Sequence, residues 1–229
     1  MLRGALALAL GLLCFAPAMA ENELSIVQSS ISIVRQEAGW LLSCYAEVRN
    51  DSAQVVALEE GHFSLTAQGG PLANGAVGSL MPYFLSPGQI GYLRDTVQIP
   101  PLEGDEQPLV TGLSYALTAL PVDSALQSEG LSVRMERMER ENGGLLVELR
   151  LQNTTASPIW NPTLAWGLYA SGGALLYADG RTLGNIALPG GDETIVRFDV
   201  PAAYVDRWDE YGAEPAEVRA MASYGGDED

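Results

Sequence analysis

The chain repeats one pattern of residues about a hundred positions apart, and this duplication limits the folds open to it. HFSLTAQGGPLANG begins at His62 and AWGLYASGGALLYADG begins at Ala165, so an offset of 103 residues aligns Phe63 with Trp166. Other residues that this offset aligns are Asn50 with Asn153, Val48 with Leu151, Leu65 with Leu168, Leu72 with Leu175, and Gly69-Gly70 with Gly172-Gly173. Self-similarity at a fixed spacing is typical of a structural unit that is used more than once. The sequence therefore predicts two copies of one unit.

Towards the end of each copy the aligned spacing shifts. Pro87-Gly88 matches Pro189-Gly190 at 102 residues, and Ile99-Pro100 matches Val200-Pro201 at 101 residues. These matches predict one or two deletions in surface loops of the second copy. The predicted organisation is a signal peptide over 1–20, a first domain over 21–121 and a second domain over 122–229.

The amino terminus predicts export. Arg3 precedes the apolar run GALALALGLLCFA, and Ala18 and Ala20 occupy the small-residue positions before a signal-peptidase site. We expect cleavage near Ala20 and a mature protein that is extracellular or held in the cell envelope. Cys14 would mark a lipoprotein, but a large leucine precedes it. Cleavage leaves Cys44 as the only cysteine, so the fold must form without an intrachain disulfide.

Within each copy, hydrophobic and polar residues alternate, which is typical of half-buried strands. In LLSCYAEV the inner face is Leu42, Cys44, Ala46 and Val48, and the face expected in solvent is Ser43, Tyr45, Glu47 and Arg49. LLVELRLQN of the second copy repeats this pattern from Leu145. The segment LSVRMERMER, from Leu131, also has helical spacing. We predict a strand there because its counterpart ISIVRQE is β-branched and Asn142-Gly143 follows as a hairpin turn.

About seven short strands per hundred residues predict an antiparallel immunoglobulin-like β-sandwich for each copy. The one predicted helix is AAYVDRWDEYG, residues 202–212, in the connection before the last strand of the second copy. The predicted fold class is therefore all-β, with two tandem antiparallel immunoglobulin-like β-sandwiches and one short helix in the second.

The repeated element is similar to the FxLYD-type domain of exported bacterial proteins. The second copy carries Trp166, Leu168 and Tyr169 before a glycine pair, then a Pro-Gly turn into RFDVP. Trp166 replaces the usual phenylalanine, and the first copy departs further, with Thr66 in place of the tyrosine. The resemblance implies an all-β extracytoplasmic module that is usually non-catalytic. It supplies no catalytic residues.

Charge limits the partners that the protein can bind. All 12 basic residues are arginine and 29 residues are acidic, giving a net charge of −17 at pH 7. Such a field repels phosphate backbones and anionic lipid head groups. We therefore expect no nucleic-acid partner and no direct binding to an anionic membrane, and we predict a protein or a cell-surface polymer as the partner.

Residues that could carry chemistry are few. His62 is the only histidine, near Glu59 and Glu60 but predicted on the outer strand face, and its counterpart is Ala165. No Gly-x-Ser-x-Gly nucleophile elbow is present. Cys44 falls on the apolar strand face, where thiols are inert.

Acidic loops could bind calcium. The calcium candidates are Asp105, Glu106, Asp192 and Glu193. None has the Asp-x-Asp-x-Asp-Gly spacing of a dedicated calcium loop. The sequence predicts neither an enzyme nor a cofactor.

Aromatic residues in loops are the remaining candidates for recognition. They are Trp160 in SPIWNP, Tyr83 and Phe84 in MPYFLSPG, and Trp208 and Tyr211 on the predicted helix. Flat rings bind ligands at low entropic cost, although each ring could instead pack over a sandwich end or between the domains.

The sequence thus predicts a non-catalytic interaction or scaffold protein. The alternatives are a carbohydrate- or calcium-dependent binding module and, less favoured, an uncharacterised hydrolase.

Overall fold

The computed structural model describes residues 23–68, 70–101, 106–122 and 129–225. The predicted signal peptide and its cleavage site at Ala20 lie outside these ranges. The strands of the first repeat are β1 Leu24–Gln36, β2 Gly39–Asn50, β3 Val56–Ala67, β4 Gly70–Ala76, β5 Leu80–Met81, β6 Phe84–Leu85, β7 Ile90–Ile99 and β8 Val110–Pro121. Those of the second are β9 Leu131–Glu141, β10 Gly144–Asn153, β11 Ile159–Trp160, β12 Thr163–Ala170, β13 Leu175–Thr182, β14 Ala187–Leu188, β15 Glu193–Val200 and β16 Pro215–Ser223, with helix α1 Ala202–Tyr211 before the last strand.

Each repeat is an antiparallel β-sandwich, as the alternating pattern predicts. In the first repeat one sheet has the order β1-β2-β7-β5, and in the other β3 pairs with β4, β6 and β8. The second repeat has the corresponding sheets β9-β10-β15 and β13-β12-β16, with β11 paired to β14. Over the described residues, no helix has the length and apolar character needed to cross a membrane.

The 103-residue offset persists through the strand that follows the Pro-Gly turn, so the predicted drift to 102 and 101 residues is wrong. Leu42 pairs with Val97 in the first repeat, and Leu145 pairs with Val200 in the second. The turn agrees, because the amide of Gly88 donates to the carbonyl of Asn50, and that of Gly191 donates to the carbonyl of Asn153. The second repeat therefore has no deletion between these strands. Proline and glycine occupy different positions within equivalent turns.

The two asparagines at the end of β2 and β10 close identical hydrogen-bond networks. The side-chain amide of Asn50 donates to the carbonyls of Gln54 and Leu85, at 2.7 and 2.8 Å. The amide of Asn153 donates to the carbonyls of Ser157 and Leu188, at 2.7 and 2.9 Å. Both side chains are buried, so the matching asparagines in the sequence mark a structural clamp in each repeat.

The ambiguous segment after Leu131 is a strand with a bulge. Met135 pairs with Leu149 and Arg137 pairs with Glu148, which leaves Glu136 as the extra residue. A bulge shifts the alternation by one position, and this shift produced the helical spacing in the sequence. Asn142 and Gly143 then form the predicted hairpin turn, both with positive φ.

Helix α1 lies where it was predicted and ends at Gly212, which has a left-handed φ of 65°. Its buried side chains are Tyr204, Val205 and Trp208. Tyr204 and Trp208 pack edge-on against Tyr177 of β13, with ring centroids 5.6 and 6.4 Å apart. The helix therefore adds aromatic residues to the core of the second repeat.

The face of β2 that was expected in solvent is buried against the second repeat. Ser43, Tyr45 and Glu47 are almost fully buried, and only Arg49 at the strand end is exposed. One hydrophobic cluster contains the core of the second repeat together with Tyr45 and Tyr92 of the first. The prediction failed because alternation separates two faces without showing what covers the polar one.

Candidate functional site

Two loop regions, one in each repeat, expose apolar side chains at equivalent positions. In the first repeat Ala57 pairs with Phe84, and in the second Trp160 pairs with Ala187. The 103-residue offset relates both residues of one pair to those of the other, and it also relates Tyr83 to Ile186. We call the strand pair β3–β6 with Tyr83 the first tip, and the strand pair β11–β14 with Ile186 the second tip. Each tip thus places one large aromatic residue opposite an alanine.

Trp160 is 54% exposed on the second tip, and the surrounding backbone is fixed by hydrogen bonds. Asn161 and Asn185 both adopt a left-handed backbone, with φ of 46° and 61°. The amide of Asn185 donates to Oδ1 of Asn161 at 2.7 Å, and the amide of Asn161 donates to the carbonyl of Ile186 at 2.9 Å. Asparagine tolerates this conformation better than other side-chain-bearing residues. The loop therefore presents Trp160 and Ile186 in a defined arrangement.

The first tip follows a residue, Met81, that packs against the second repeat. Tyr83 is 48% exposed and Phe84 is half-buried. The preceding Met81 packs on Gly180 of β13, where an added Cβ would lie 2.8 Å from the Cβ of Met81. The same added Cβ would lie 3.0 Å from the carbonyl of Leu164, which is four residues from Trp160. These contacts place Met81, two positions before Tyr83, next to Gly180 of β13 and close to β12, the strand that follows Trp160.

The two helix residues predicted as binding candidates differ in exposure. Trp208 is 4% exposed and packs against Tyr177, so its prediction as an exposed recognition residue is wrong. Tyr211 is 67% exposed, and Nη2 of Arg207 donates to its hydroxyl while the guanidinium stacks over its ring. The helical pattern did not distinguish these residues because it does not show which side of the helix packs on β13 of the same repeat.

The boundary between the repeats contains a buried polar network that the sequence did not reveal. The hydroxyl of Tyr169 donates to Oε2 of Glu47 at 2.6 Å, and Nε2 of Gln28 donates to the same oxygen at 2.9 Å. The hydroxyls of Tyr169 and Tyr92 are 2.9 Å apart. Burial, followed by the hydrogen bonds to Glu47 and Tyr92, raises the pKa of Tyr169 above its ordinary range, and burial raises that of Tyr92 to about 12. Both phenols therefore stay protonated, and Tyr169 together with Gln28 donates to the buried carboxyl group of Glu47.

An ion pair crosses the same boundary. Nη1 of Arg94 lies 3.0 Å from Oδ2 of Asp179, and its guanidinium stacks over the ring of Tyr177 at 5.0 Å. Tyr177 also packs against Tyr45, with ring centroids 5.1 Å apart. These contacts give the boundary a defined geometry.

The core of the first repeat contains an aspartate. Asp95 is 6% exposed, pairs across the sheet with Cys44, and accepts a 2.7 Å hydrogen bond from the amide of Gly78. Burial raises the pKa of Asp95, and burial followed by the charge of Asp95 raises that of Cys44 to about 12. Cys44 is therefore the inert core thiol that the strand pattern predicts.

His62 is exposed on β3, as the strand alternation predicts. Its Nε2 lies 2.9 Å from a carboxylate oxygen of Glu60, and both side chains are more than half exposed. Two exposed residues on one strand do not form a cleft in which a base could activate a nucleophile.

The three calcium candidates that lie within the described residues do not form a metal-binding group. Asp105 lies outside the described residues, while Glu106 and Asp192 are exposed. The carboxylate of Glu193 is paired with the guanidinium of Arg150. Within the described ranges, no group of three or more His, Cys, Asp and Glu residues is arranged to hold a metal ion.

A groove of about 460 Å³ lies where the first repeat meets β9 and β16. The turn 86–89, two residues of β9 and residues 220–222 form its walls, and none of these residues is charged. The side-chain carbonyl of Gln89 already accepts the amide of Ser86. The groove therefore offers few polar groups with which to fix the orientation of a ligand.

Comparison with known proteins identifies no family. No family model matches the chain, and no curated protein matches it. Similar solved structures include red sea bream transglutaminase, with 10% identity, a TM-score of 0.26 and coverage of 88% of this chain and 29% of that chain. A glycoside hydrolase family 2 β-glucuronidase has 15% identity, a TM-score of 0.21 and coverage of 72% of this chain and 20% of that chain. β-Glucuronidase 2 of Bacteroides uniformis has 14% identity, a TM-score of 0.20 and coverage of 70% and 22%. The chain thus spans less than a third of each of these proteins.

Proposed function

We propose that the protein is an exported, non-catalytic interaction module of the cell surface or envelope, and that the loop carrying Trp160 contacts its partner. The observation that carries this proposal is the exposed indole of Trp160 on a loop fixed by Asn161 and Asn185. A large ring held in place by its backbone binds with a small loss of conformational entropy. Most large aromatic residues in a folded protein are covered, so an exposed tryptophan is a feature of recognition surfaces.

The sequence supports the same proposal. The predicted signal peptide directs the protein out of the cytoplasm, and the FxLYD-type domains that the repeats resemble are usually non-catalytic and extracytoplasmic. The net charge of −17 disfavours nucleic acid and anionic lipid as partners.

The test is a pull-down from the envelope of the producing cells with the mature protein and its Trp160→Ala variant. We expect the variant to retain at least tenfold less partner, since exposed aromatic anchors dominate binding energy. Ile195→Ala is the matched control, because Ile195 is also about half exposed but lies on β15. Equal capture by Trp160→Ala and wild type would contradict the proposal. Loss of capture when calcium is chelated would favour the calcium-dependent alternative.

A further inference from the structure

We propose that the first and second tips act together as a two-point binding surface for a neutral carbohydrate polymer. This inference rests on the proposed function, in which Trp160 contacts the partner. It adds the chemical class of the ligand and assigns a second contact to Tyr83.

The equivalence of the tips is the first observation. Phe84 and Trp160 belong to equivalent cross-strand pairs of the two sandwiches, although they lie on opposite strands of those pairs. Tyr83 and Ile186 occupy the same position beside the pair. Tyr83, Trp160 and Ile186 are each between 43% and 54% exposed. The exposed residues differ between the tips, since Tyr83 corresponds to Ile186 and Trp160 corresponds to Ala57, but each tip exposes a large ring that a ligand with repeating units can contact.

The position of the tips is the second observation. Met81 contacts Gly180, and Gly180 adjoins Leu164 on the neighbouring strand. Tyr83 lies two positions after Met81, and Trp160 lies four positions before Leu164. At about 3.5 Å per residue, the Cα atoms of Tyr83 and Trp160 lie within roughly 30 Å of each other. This distance is within the span of one extended polymer chain.

The charge of the tips is the third observation, and it selects the class of ligand. Segments 81–88, 158–163 and 182–191 contain no charged residue, although the chain has 29 acidic and 12 basic residues. These three segments give no counter-charge to an anionic or a cationic polymer, and the nearest charged residues of the first tip are Glu59 and Glu60, further along β3. The C–H faces of neutral sugar rings pack on the electron-rich faces of Trp and Tyr rings. Asn161 and Asn185 add uncharged amides that can bond to hydroxyl groups.

Two contacts on one polymer produce avidity. Once one tip is bound, the second binds at the high effective concentration set by the linkage, so the combined affinity exceeds that of either tip by roughly 100-fold or more. A short oligosaccharide that reaches one tip binds without this gain.

The experiment is affinity gel electrophoresis of the mature protein in gels containing hydroxyethyl cellulose or galactomannan, with alginate as the anionic comparison. We expect retardation by at least one neutral polymer and none by alginate. Trp160→Ala and Tyr83→Ala should each weaken polymer binding by about 100-fold or more, because each leaves only one tip, and the double variant should abolish it. Tyr211→Ala, which removes an exposed ring from α1, should leave binding unchanged. Unaltered melting temperatures confirm that the exposed-site variants are folded.

Failure of this inference differs from failure of the proposed function. Absence of retardation by both neutral polymers, or retardation that survives the double variant, overturns the carbohydrate inference. If the pull-down then still captures a protein in a Trp160-dependent manner, the interaction module stands and its partner is a protein. Loss of polymer binding in Trp160→Ala with full binding in Tyr83→Ala overturns the two-point arrangement.

Discussion

Asp95 occupies a position in the first repeat where the second repeat has Phe198. Both residues pair with the equivalent strand, Asp95 with Cys44 and Phe198 with Val147. The second repeat buries its phenylalanine against Trp166, whereas the first repeat divides its core residues into two separate clusters. A buried carboxylate favours the protonated state because burial penalises its charge. The first repeat is therefore expected to be the more pH-sensitive half of the molecule.

Replacement of Asp95 by asparagine should stabilise the protein in a pH-dependent manner. The pKa of Asp95 is raised in the folded state, so its contribution to stability is present below the ordinary aspartate pKa and is lost as pH rises through the raised value. Asp95→Asn removes this loss. We expect the variant to gain about 1–3 kcal/mol over the wild type at pH 7 and little at pH 3.

Urea unfolding at several pH values measures this difference. Asp199→Asn is the control, since Asp199 lies next to Phe198 in the sequence but is exposed. A stability difference between Asp95→Asn and wild type that does not change with pH would contradict the prediction.

The sequence contained a signal for Asp95 that was missed. Leu93, Asp95 and Val97 occupy alternate positions, which places the aspartate on the inner face of its strand. The predicted drift of the repeat spacing hid the comparison with Phe198. By contrast, the core position of Cys44 was predicted correctly because both of its strand neighbours on that face are apolar.

Among the elements, the contact between β7 and β12 depends on a glycine. Gly167 lies beneath Tyr92, and a Cβ added to Gly167 would lie 2.6 Å from Cε1 of that ring. The counterpart of Gly167 in the first repeat is Ser64, which is exposed. At this position of the repeat, a side chain is therefore excluded in the copy that faces the boundary and tolerated in the copy that faces solvent.

Gly167→Ala should destabilise the protein by about 1–3 kcal/mol, because the methyl group must displace the Tyr92 ring and strain its hydrogen bond to Tyr169. The matched control is Gly172→Ala in the β12–β13 turn, where an added Cβ meets no atom within 4 Å. Chemical denaturation of both variants gives the comparison. Equal stability of the two alanine variants would show that the boundary can accommodate a methyl group.

The sequence predicted which segments are strands or helices more reliably than it predicted what packs against each of them. Alternation indicated the strands, Asn142-Gly143 indicated the β9–β10 turn, and the helix began and ended close to its predicted bounds. Burial of Tyr45 and Glu47 could not be predicted, since a polar strand face reads the same whether water or another domain covers it. Trp208 was also assigned to the surface, although it is buried against Tyr177 of its own repeat.

At the scale of the whole molecule, the two sandwiches share one hydrophobic cluster and a buried hydrogen-bond network. Separation of the repeats would expose the Tyr45 ring and leave the carboxylate of Glu47 without the Tyr169 donor. We therefore expect calorimetry of the mature protein to give a single cooperative unfolding transition, with a calorimetric enthalpy equal to the van't Hoff enthalpy. Gly167→Ala should lower the temperature of that whole transition. Two resolved transitions in the wild type would contradict the shared core.

The contact between the repeats is head-to-tail, because the sheet that contains β2 in the first repeat meets the sheet that contains β12 in the second. These two sheets are not equivalent in the duplication. Contacts of this kind can add further copies without end and produce a filament unless the outer faces differ from the inner ones. Here they differ. Glu148 and Arg150 replace Tyr45 and Glu47 on the free face of the second repeat, and Arg150 is already paired with Glu136 and Glu193. On the first repeat, Thr66 and Ser64 replace Tyr169 and Gly167. A third copy that docked in the same way would bury the ion pairs of Arg150, so this contact disfavours polymerisation of the tandem.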